Sequence, residues 1–300
     1  MQELKLSREQ TDRFNADGVV MLDRIVDEAT VEALRASYDR LFRGVFETGV
    51  TPDEVNWQEG ASDPSLTRQI CNGWKADRTI ARVMLREDFG RALAGLAGWP
   101  GARIMIDNVL WKPPGTRPLG FHQDDAYLTW FTPQELISLW IALDDTSADG
   151  GTMEVVRGSH TWAHSRPEGE FHGPENYRKD MELAARAEGS EPEIVPIVVN
   201  KGGGSIHHGW VWHGSGPNRS DTPRRALVLH AMSSEARYVP ECLGEGTGRI
   251  YGRYKRLGDN EMDENYFPIL WSRDGRRTPG LDEFCESDRD VASRTACIDC

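Results

Sequence analysis

The sequence predicts a mainly β fold with flanking helices, arranged as a double-sheet jelly roll. The first observation is a series of short β-rich segments separated by Gly, Pro, Asp and Asn, with no helical pattern between most of them. The second is that the main helical patterns lie before residue 100. The predicted strands cover residues 103–111, 136–143, 152–156, 194–199, 204–207 and 225–231.

Nothing in the composition marks a boundary, so we expect one domain over residues 1–300. Residues 1–100 are predicted to support the sheets with helices, residues 102–232 to form the jelly-roll core, and residues 233–300 to extend it. Ser7 followed by Gln10 predicts a helix start, and residues 18–22 form a short apolar strand. A loop is predicted over residues 48–65 and a helical zone over residues 80–96. A further helix is predicted from apolar residues at helical spacing, namely Val31, Leu34, Tyr38, Leu41 and Phe42.

Composition excludes several classes of protein. The formal charge of −13 disfavours nucleic acid, because binding a phosphate backbone requires a basic surface. No apolar run reaches the roughly twenty residues of a membrane span, and no signal peptide is visible, so we expect a soluble cytoplasmic protein. Five cysteines, three of them at Cys285, Cys297 and Cys300, do not indicate a disulfide framework. The acidity favours a cationic or neutral small substrate, although solubility alone also accounts for it.

Three residues have the pattern of a metal site. His122 and Asp124 are two residues apart, so on an extended segment both side chains point to the same face. His213 opens a Gly-Ser-Gly-Pro-Asn segment far downstream and supplies a second imidazole. Two His and one carboxylate are the ligand set of non-haem Fe(II) oxygenases, which leaves coordination positions open.

Each of these residues has an alternative interpretation. A single His-x-Asp tripeptide is more often a surface hydrogen-bond pair than a metal site. His207 has the same strand parity as His213 and competes with it, whereas His208 is expected to face outward. His160 and His230 are expected to be structural hydrogen-bonding residues.

Taken together, the motifs resemble the phytanoyl-CoA dioxygenase family of Fe(II)- and 2-oxoglutarate-dependent oxygenases. The resemblance covers residues 18–232 and rests on Lys112-Pro-Pro, Phe121-His-Gln-Asp124, Trp140, the Gly-rich residues 150–160, residues 213–218 and Arg224. It implies a cupin-like double-stranded β-helix that uses Fe(II), 2-oxoglutarate and O2. It further implies that His122, Asp124 and His213 bind iron, that Arg224 pairs with the distal carboxylate of 2-oxoglutarate, and that Trp140 and Ser215 line the co-substrate pocket. A carboxylate at Asp124 also disfavours halogenation, since related halogenases have Ala or Gly there.

The choice of Arg224 also has a physical basis. A dicarboxylate needs a fixed cation at its far end, and the planar fork of Arg provides two parallel hydrogen bonds. Arg224 and Arg225 face opposite sides of a strand, so only one of them points inward. The spacing from His213 favours Arg224, and Arg225 is expected to be a solvated surface charge.

The substrate contacts are predicted from position. Tyr127, Trp130 and Asp125 follow the first metal-ligand pair, although core packing is an equal alternative for Trp130. Residues 162–192 form a long insertion that contains a charged helical stretch over 175–187 and is predicted to be a lid. The acids Asp125, Glu168 and Glu170 favour a polar, cationic or sugar-like substrate.

The reaction that the resemblance implies is oxidation of that small molecule, expected to be a natural product of secondary metabolism, by hydroxylation, oxidative cyclisation or desaturation. The alternative is a metal-binding cupin without oxygenase activity, such as an isomerase or a sensor. A structural β-sandwich with accidental His placement is a further alternative. The dicarboxylate pocket around Arg224 and Trp140 argues against the isomerase or sensor.

Overall fold

The computed structural model describes residues 2–165 and 169–286 of the chain. The helices are α1 (Arg8–Asp17), α2 (Glu28–Leu41), α3 (Arg78–Met84), α4 (Glu87–Ala97), α5 (Lys179–Ala187), α6 (Gly248–Tyr251) and α7 (Leu281–Cys285). The strands are β1 (Val19–Leu22), β2 (Glu54–Val55), β3 (Arg68–Cys71), β4 (Gly101–Lys112), β5 (Leu119–His122), β6 (Phe131–Thr132), β7 (Ile137–Ala142), β8 (Met153–Val156), β9 (Ile194–Pro196), β10 (Gly204–His208), β11 (His213–Ser215), β12 (Arg224–Ser233), β13 (Arg237–Tyr238) and β14 (Ile269–Ser272).

Two antiparallel sheets form the jelly roll that the sequence predicts. The large sheet has the order β1-β10-β7-β12-β4-β3-β2, with β14 also paired to β4. The small sheet has the order β5-β11-β8-β9. Trp140 and Val228 of the large sheet pack against Met153 and Val155 of the small sheet, so the two inner faces meet. The predicted mainly β fold is confirmed.

The large sheet has a helix-covered outer face and an inner face that contributes to the site. Leu227 and Leu229 of β12 join the core cluster that contains Leu34 of α2, whereas Val228 faces the small sheet. This alternation follows from the two-residue period of a strand. His230 therefore lies on the inner face with Val228.

The supporting helices form largely as predicted. Ser7 caps α1, and its side chain and that of Gln10 make the reciprocal bonds of a capping box. The predicted apolar residues of α2 are buried, and the Tyr38 hydroxyl donates a 2.6 Å hydrogen bond to the carbonyl of Ala226 on β12. This bond and the apolar face together attach α2 to the sheet.

Several predicted element limits are wrong. The helical zone over 80–96 is two helices, because Arg86 is extended and its side chain binds Asp88, which also accepts the Leu4 N–H. The predicted strand 194–199 ends at Pro196, where the ladder with β8 stops. The predicted loop over 48–65 contains the short strand β2, which pairs with β3, and the helix predicted over 175–187 begins only at Lys179.

The cysteines and the absence of a membrane-spanning run were also considered in the sequence. Cys71, Cys242 and Cys285 are free thiols, while Cys297 and Cys300 lie outside the described residues. None of the helices within residues 2–165 and 169–286 is both long and apolar enough to cross a membrane.

Candidate active site

The two predicted His ligands come from neighbouring strands of the small sheet. His122 ends β5 and His213 begins β11, and the two residues are directly paired in the antiparallel register. Their ring centroids are 4.2 Å apart. Within residues 2–165 and 169–286, His122, Asp124 and His213 form the single group of possible metal ligands whose ligand atoms all lie within 4.8 Å of one another.

The hydrogen bonds of both rings fix which nitrogen faces the centre of this group. His122 Nδ1 lies 2.9 Å from the carbonyl oxygen of Gly120, and His213 Nδ1 lies 3.1 Å from that of Val211. A carbonyl only accepts, so each Nδ1 carries the proton and each Nε2 keeps its lone pair. Burial, and next the neighbouring His122, lower the pKa of His213 well below its usual value and keep the ring neutral.

Asp124 follows β5 and opens a short 3-10 turn that runs to Tyr127. Gln123 between the two ligands is still extended, so the predicted parity holds although the strand ends at His122. Asp124 Oδ1 lies 3.3 Å from His122 Nε2 and 3.5 Å from His213 Nε2. Burial raises the pKa of the Asp124 carboxyl, but His213 and His230 outweigh this effect and hold it well below its usual range. The group is therefore a carboxylate.

The other histidines divide between the inside and the outside of the jelly roll. His207 is buried, with Nε2 3.5 Å from Asp124 Oδ2 and its ring 4.7 Å from that of His213. His230 is buried too, and its Nδ1 lies 3.4 Å from the same Asp124 oxygen. His208 faces away from the centre and lies near His160 and 3.5 Å from Glu135, so its predicted outward direction is confirmed.

A narrow inner cavity leads from the His and Asp group to Arg224. Its volume is about 60 Å³, and its wall includes Trp140, Ser215 and Arg224, the three residues predicted for the co-substrate pocket. The Arg224 guanidinium is buried, and its Nε and Nη2 both donate to the carbonyl of Gly151, at 3.1 and 3.0 Å. Burial lowers the pKa of Arg224 to about 10, so it remains charged at neutral pH.

Arg225 points away from this cavity, as strand parity predicts. Its Nε and Nη2 lie 3.0 and 2.8 Å from the two carboxylate oxygens of Asp144. The expectation that Arg225 is a solvated surface charge is wrong, because Asp144 holds it in a half-buried ion pair. Arg224 is consequently the inward-facing cation of the two.

Lys112 is a second buried basic residue near the inner cavity, and no role was predicted for it from the sequence. Its Nζ donates a 2.8 Å hydrogen bond to Ser215 Oγ and also contacts the carbonyl oxygen of Gly216. Burial, and next the charge of Arg224, lower the pKa of Lys112 well below its usual value. Lys112 therefore holds the strand end that presents Ser215 to the cavity.

A larger outer cavity of about 320 Å³ opens on the other side of His122 and Asp124. Tyr127 lines it, as predicted, and so do Phe171 and His172 of the insertion. The Phe171 ring contacts His122 edge-on at 4.8 Å. The rest of its wall is largely apolar or amide-bearing and includes Asn56, Gln69, Cys71, Met105, Ile106, Asn108, Leu128, Leu136 and Tyr251.

Two of the predicted substrate residues do not line either cavity, which corrects the prediction. Trp130 is fully buried, its ring stacks on Tyr251 at 5.6 Å, and its Nε1 donates to Thr247 Oγ1 at 2.9 Å. Asp125 is buried against Gly209, where any side chain would collide with its carboxyl group. Burial, and next the charge of Asp124, raise the pKa of Asp125 well above its usual value. Because the carboxyl group is buried, it offers no exposed charge to a cationic substrate.

Trp130→Ala is expected to destabilise the protein. Removing a fully buried Trp from a core costs about 3–5 kcal/mol in the free energy of unfolding. Urea denaturation measures this loss, and Trp162→Ala, which removes a half-buried ring from the insertion, should cost less. Equal unfolding free energies for Trp130→Ala and the unaltered protein would contradict the placement of Trp130 in the core.

The predicted lid is described only in part. Phe171 and His172 reach the outer cavity, whereas Glu170 is exposed. Glu168 lies outside the described residues. Arg178 of the insertion pairs with Glu154 of β8 at 2.7 Å, which attaches this segment to the small sheet.

The fold and this geometry define a class of protein, a jelly roll with two imidazoles and one carboxylate converging beside a buried Arg. The sequence profile of the phytanoyl-CoA dioxygenase (PhyH) family matches residues 14–226. The chain belongs to this family.

Individual relatives agree with this assignment. The chain is 24% identical over 254 residues to human peroxisomal phytanoyl-CoA dioxygenase, covering 78% of this chain and 70% of the relative. It is 34% identical over 217 residues to a probable alpha-ketoglutarate-dependent hypophosphite dioxygenase of Stutzerimonas stutzeri, covering 70% and 71%.

Solved structures share the fold. The alpha-ketoglutarate-dependent epimerase SnoN from nogalamycin biosynthesis superposes with a TM-score of 0.64 at 21% identity, covering 87% of this chain and 97% of that one. The carbocyclase SnoK from the same biosynthesis gives 0.62 at 23% identity, covering 88% and 96%. At these identities the likeness concerns the fold.

Proposed function

We propose that the protein is an Fe(II)- and 2-oxoglutarate-dependent oxygenase that oxidises a small organic molecule of secondary metabolism. The observation that carries this proposal is the convergence of His122 Nε2, His213 Nε2 and Asp124 Oδ1 within 4.8 Å. This donor set suits Fe(II) and leaves coordination positions open for other ligands. With both bound, Fe(II) and 2-oxoglutarate supply the activation of O2 that couples decarboxylation of 2-oxoglutarate to oxidation of a substrate.

The inner cavity supports the assignment of 2-oxoglutarate as the co-substrate. Its polar end combines the Arg224 guanidinium with the Ser215 hydroxyl, and Trp140 forms part of the wall. A carboxylate at this end would gain charge-assisted hydrogen bonds from the Arg224 guanidinium, which has no carboxylate partner among the described residues and donates to the carbonyl of Gly151. We assign Arg224 to the distal carboxylate, Ser215 and Trp140 to the pocket wall, and Lys112 to positioning Ser215.

The outer cavity supports a neutral, hydrogen-bonding substrate. The amide side chains of Asn56, Gln69 and Asn108 line it together with apolar side chains. Among the described residues, its wall contains no Lys or Arg, which disfavours the phosphates of a coenzyme A thioester. Besides Asp124 it contains one carboxylate, Glu54, which accepts a 2.8 Å hydrogen bond from Tyr251. A sugar-like or otherwise polyoxygenated molecule fits this lining better than a strongly cationic one.

The type of product is a separate question. Relatives on this fold are named as dioxygenases, an epimerase and a carbocyclase. All these outcomes can begin with removal of hydrogen from a carbon held next to the metal. We favour hydroxylation or oxidative cyclisation, with Tyr127 and Phe171 excluding water from the reacting carbon.

Release of succinate from 2-oxoglutarate tests the proposal against an isomerase or a sensor. Protein supplied with Fe(II), 2-oxoglutarate and O2 is expected to form succinate slowly, and faster when a panel of amino sugars, amino acids, terpenoids and acyl-CoA esters includes a substrate. Omitting Fe(II) should remove all of this succinate. No Fe(II)-dependent succinate with any compound of the panel would contradict an oxygenase.

A further inference from the structure

A row of buried polar side chains crosses the large sheet below Asp124. His207 of β10, Ser138 of β7 and His230 of β12 stand directly opposite one another in the register of these three strands. Each is less than a tenth exposed, and each faces the outer oxygen Oδ2 of Asp124. The distances to this oxygen are 3.5 Å from His207 Nε2, 3.1 Å from Ser138 Oγ and 3.4 Å from His230 Nδ1.

Four side chains, those of Asn108, His230, Ser138 and Asp124, form a hydrogen-bonded chain with one consistent direction. The Ser138 hydroxyl donates to Asp124 Oδ2, because a carboxylate only accepts. The Ser138 oxygen is then free to accept from His230 Nδ1, 2.7 Å away. His230 Nε2 in turn accepts from the Asn108 amide at 2.9 Å.

Residues in the wall of the outer cavity hold Asn108, which is the far end of this hydrogen-bonded chain. Asn108 Oδ1 accepts from Gln69 Nε2 at 3.3 Å and from Cys71 Sγ at 3.1 Å. The amide nitrogen of Asn108 therefore faces His230. The two nitrogens of His207 make no hydrogen bond within the described residues, so His207 is not part of the chain.

We propose that Asn108, His230 and Ser138 are positioning residues that occupy the outer oxygen of Asp124 and leave its inner oxygen, Oδ1, to bind the metal. The inference rests on the proposed function, since it takes His122, Asp124 and His213 as the ligands. A carboxylate without an outer partner can turn and bind through both oxygens. That binding would use a coordination position that the co-substrate or oxygen requires.

Metal binding to the protein freed of metal tests this proposal without any substrate. Outer partners of metal ligands typically contribute about 10- to 100-fold in metal affinity. Ser138→Ala should therefore weaken Co(II) binding in calorimetry by roughly this factor. It should also change the visible spectrum of the Co(II) protein, because a carboxylate bound through two oxygens raises the coordination number. Ser138→Thr retains the hydroxyl and should restore both properties.

Ser205→Ala is the matched control. Ser205 is also fully buried on the large sheet, on β10, but its hydroxyl has no hydrogen-bond partner among the described residues. Its loss should leave the affinity and the spectrum unchanged. His230→Phe should resemble Ser138→Ala, and Asn108→Leu should have the same direction with a smaller effect.

The outcomes separate this proposal from the proposed function. If His213→Ala abolishes Co(II) binding while Ser138→Ala matches the unaltered protein in affinity and spectrum, the positioning chain is wrong and the metal site stands. An equal loss in Ser205→Ala would also overturn the chain, because any buried serine would then have the same effect. If His213→Ala retains the metal, both proposals fail.

Discussion

Asp124→Ala and His213→Ala are expected to abolish metal binding. Each removes one of three ligands, so the loss of affinity should exceed the roughly 100-fold that an outer partner contributes. Calorimetric titration of the metal-free variants with Fe(II) under anaerobic conditions measures this loss. Fe(II)-dependent succinate formation should disappear with it.

His208→Ala is the matched control for the histidine ligand. His208 lies five residues before His213 but faces outward, near Glu135 and His160. Its removal should leave the Fe(II) affinity close to that of the unaltered protein. Loss of the metal in His208→Ala together with its retention in His213→Ala would show that the second imidazole ligand is misassigned.

Arg224→Ala is expected to weaken binding of 2-oxoglutarate by roughly a hundredfold or more, since breaking a buried charge pair costs about 3–5 kcal/mol. Arg224→Lys should recover part of this loss, because Lys keeps the charge but lacks the planar fork. Titration of the Fe(II)-loaded protein with 2-oxoglutarate, followed by its charge-transfer absorbance, measures the affinity.

Arg225→Ala provides the control from the adjacent residue. Arg225 pairs with Asp144 on the opposite face of β12, and Asp144 retains a second partner in Arg35 at 2.7 Å. The affinity for 2-oxoglutarate should therefore hardly change. Equal losses in the two alanine variants would mean that neither guanidinium contacts the co-substrate directly.

Local sequence patterns predicted the parts of the site that depend on strand geometry. His122 and Asp124 share a face because two residues make one strand period, and the same parity separates Arg224 from Arg225. The strands themselves followed from short β-rich runs between turn residues. These features depend on neighbours in the chain, so the sequence alone was sufficient to predict them.

Other features depend on contacts between distant segments, which local patterns do not contain. The alignment of Ser138 and His230 below Asp124 requires the register of β7 and β12. Phe171 reaches His122 from the part of the insertion that precedes α5, where the sequence has no periodic pattern. A polar Asn108 inside the apolar strand β4 was a usable signal, because a polar residue among buried neighbours needs a partner.

Two of the predicted substrate contacts, Trp130 and Asp125, lie elsewhere because contacts with distant segments decide where a side chain packs. Trp130 follows the metal-binding turn in the chain, yet its ring packs with Tyr251 and Phe267 from the C-terminal segment. Asp125 directly follows the ligand Asp124 in the chain, but its carboxyl group packs against Gly209 and lines neither cavity. Asp125 therefore does not support a cationic substrate. Among the described residues, Glu54 is the acid that lines the outer cavity besides Asp124.

The position of the bound metal distinguishes the assigned ligands from the other buried histidines. Crystals of the protein prepared anaerobically with Fe(II) and 2-oxoglutarate can be measured at the iron absorption edge, where anomalous scattering locates the ion. We predict one strong peak bonded to His122 Nε2, His213 Nε2 and Asp124 Oδ1, with 2-oxoglutarate extending from it toward Arg224. A peak bonded to His207 or His230 in place of these ligands, or the absence of a peak between β5 and β11, would contradict the assignment of His122, Asp124 and His213 as the metal ligands.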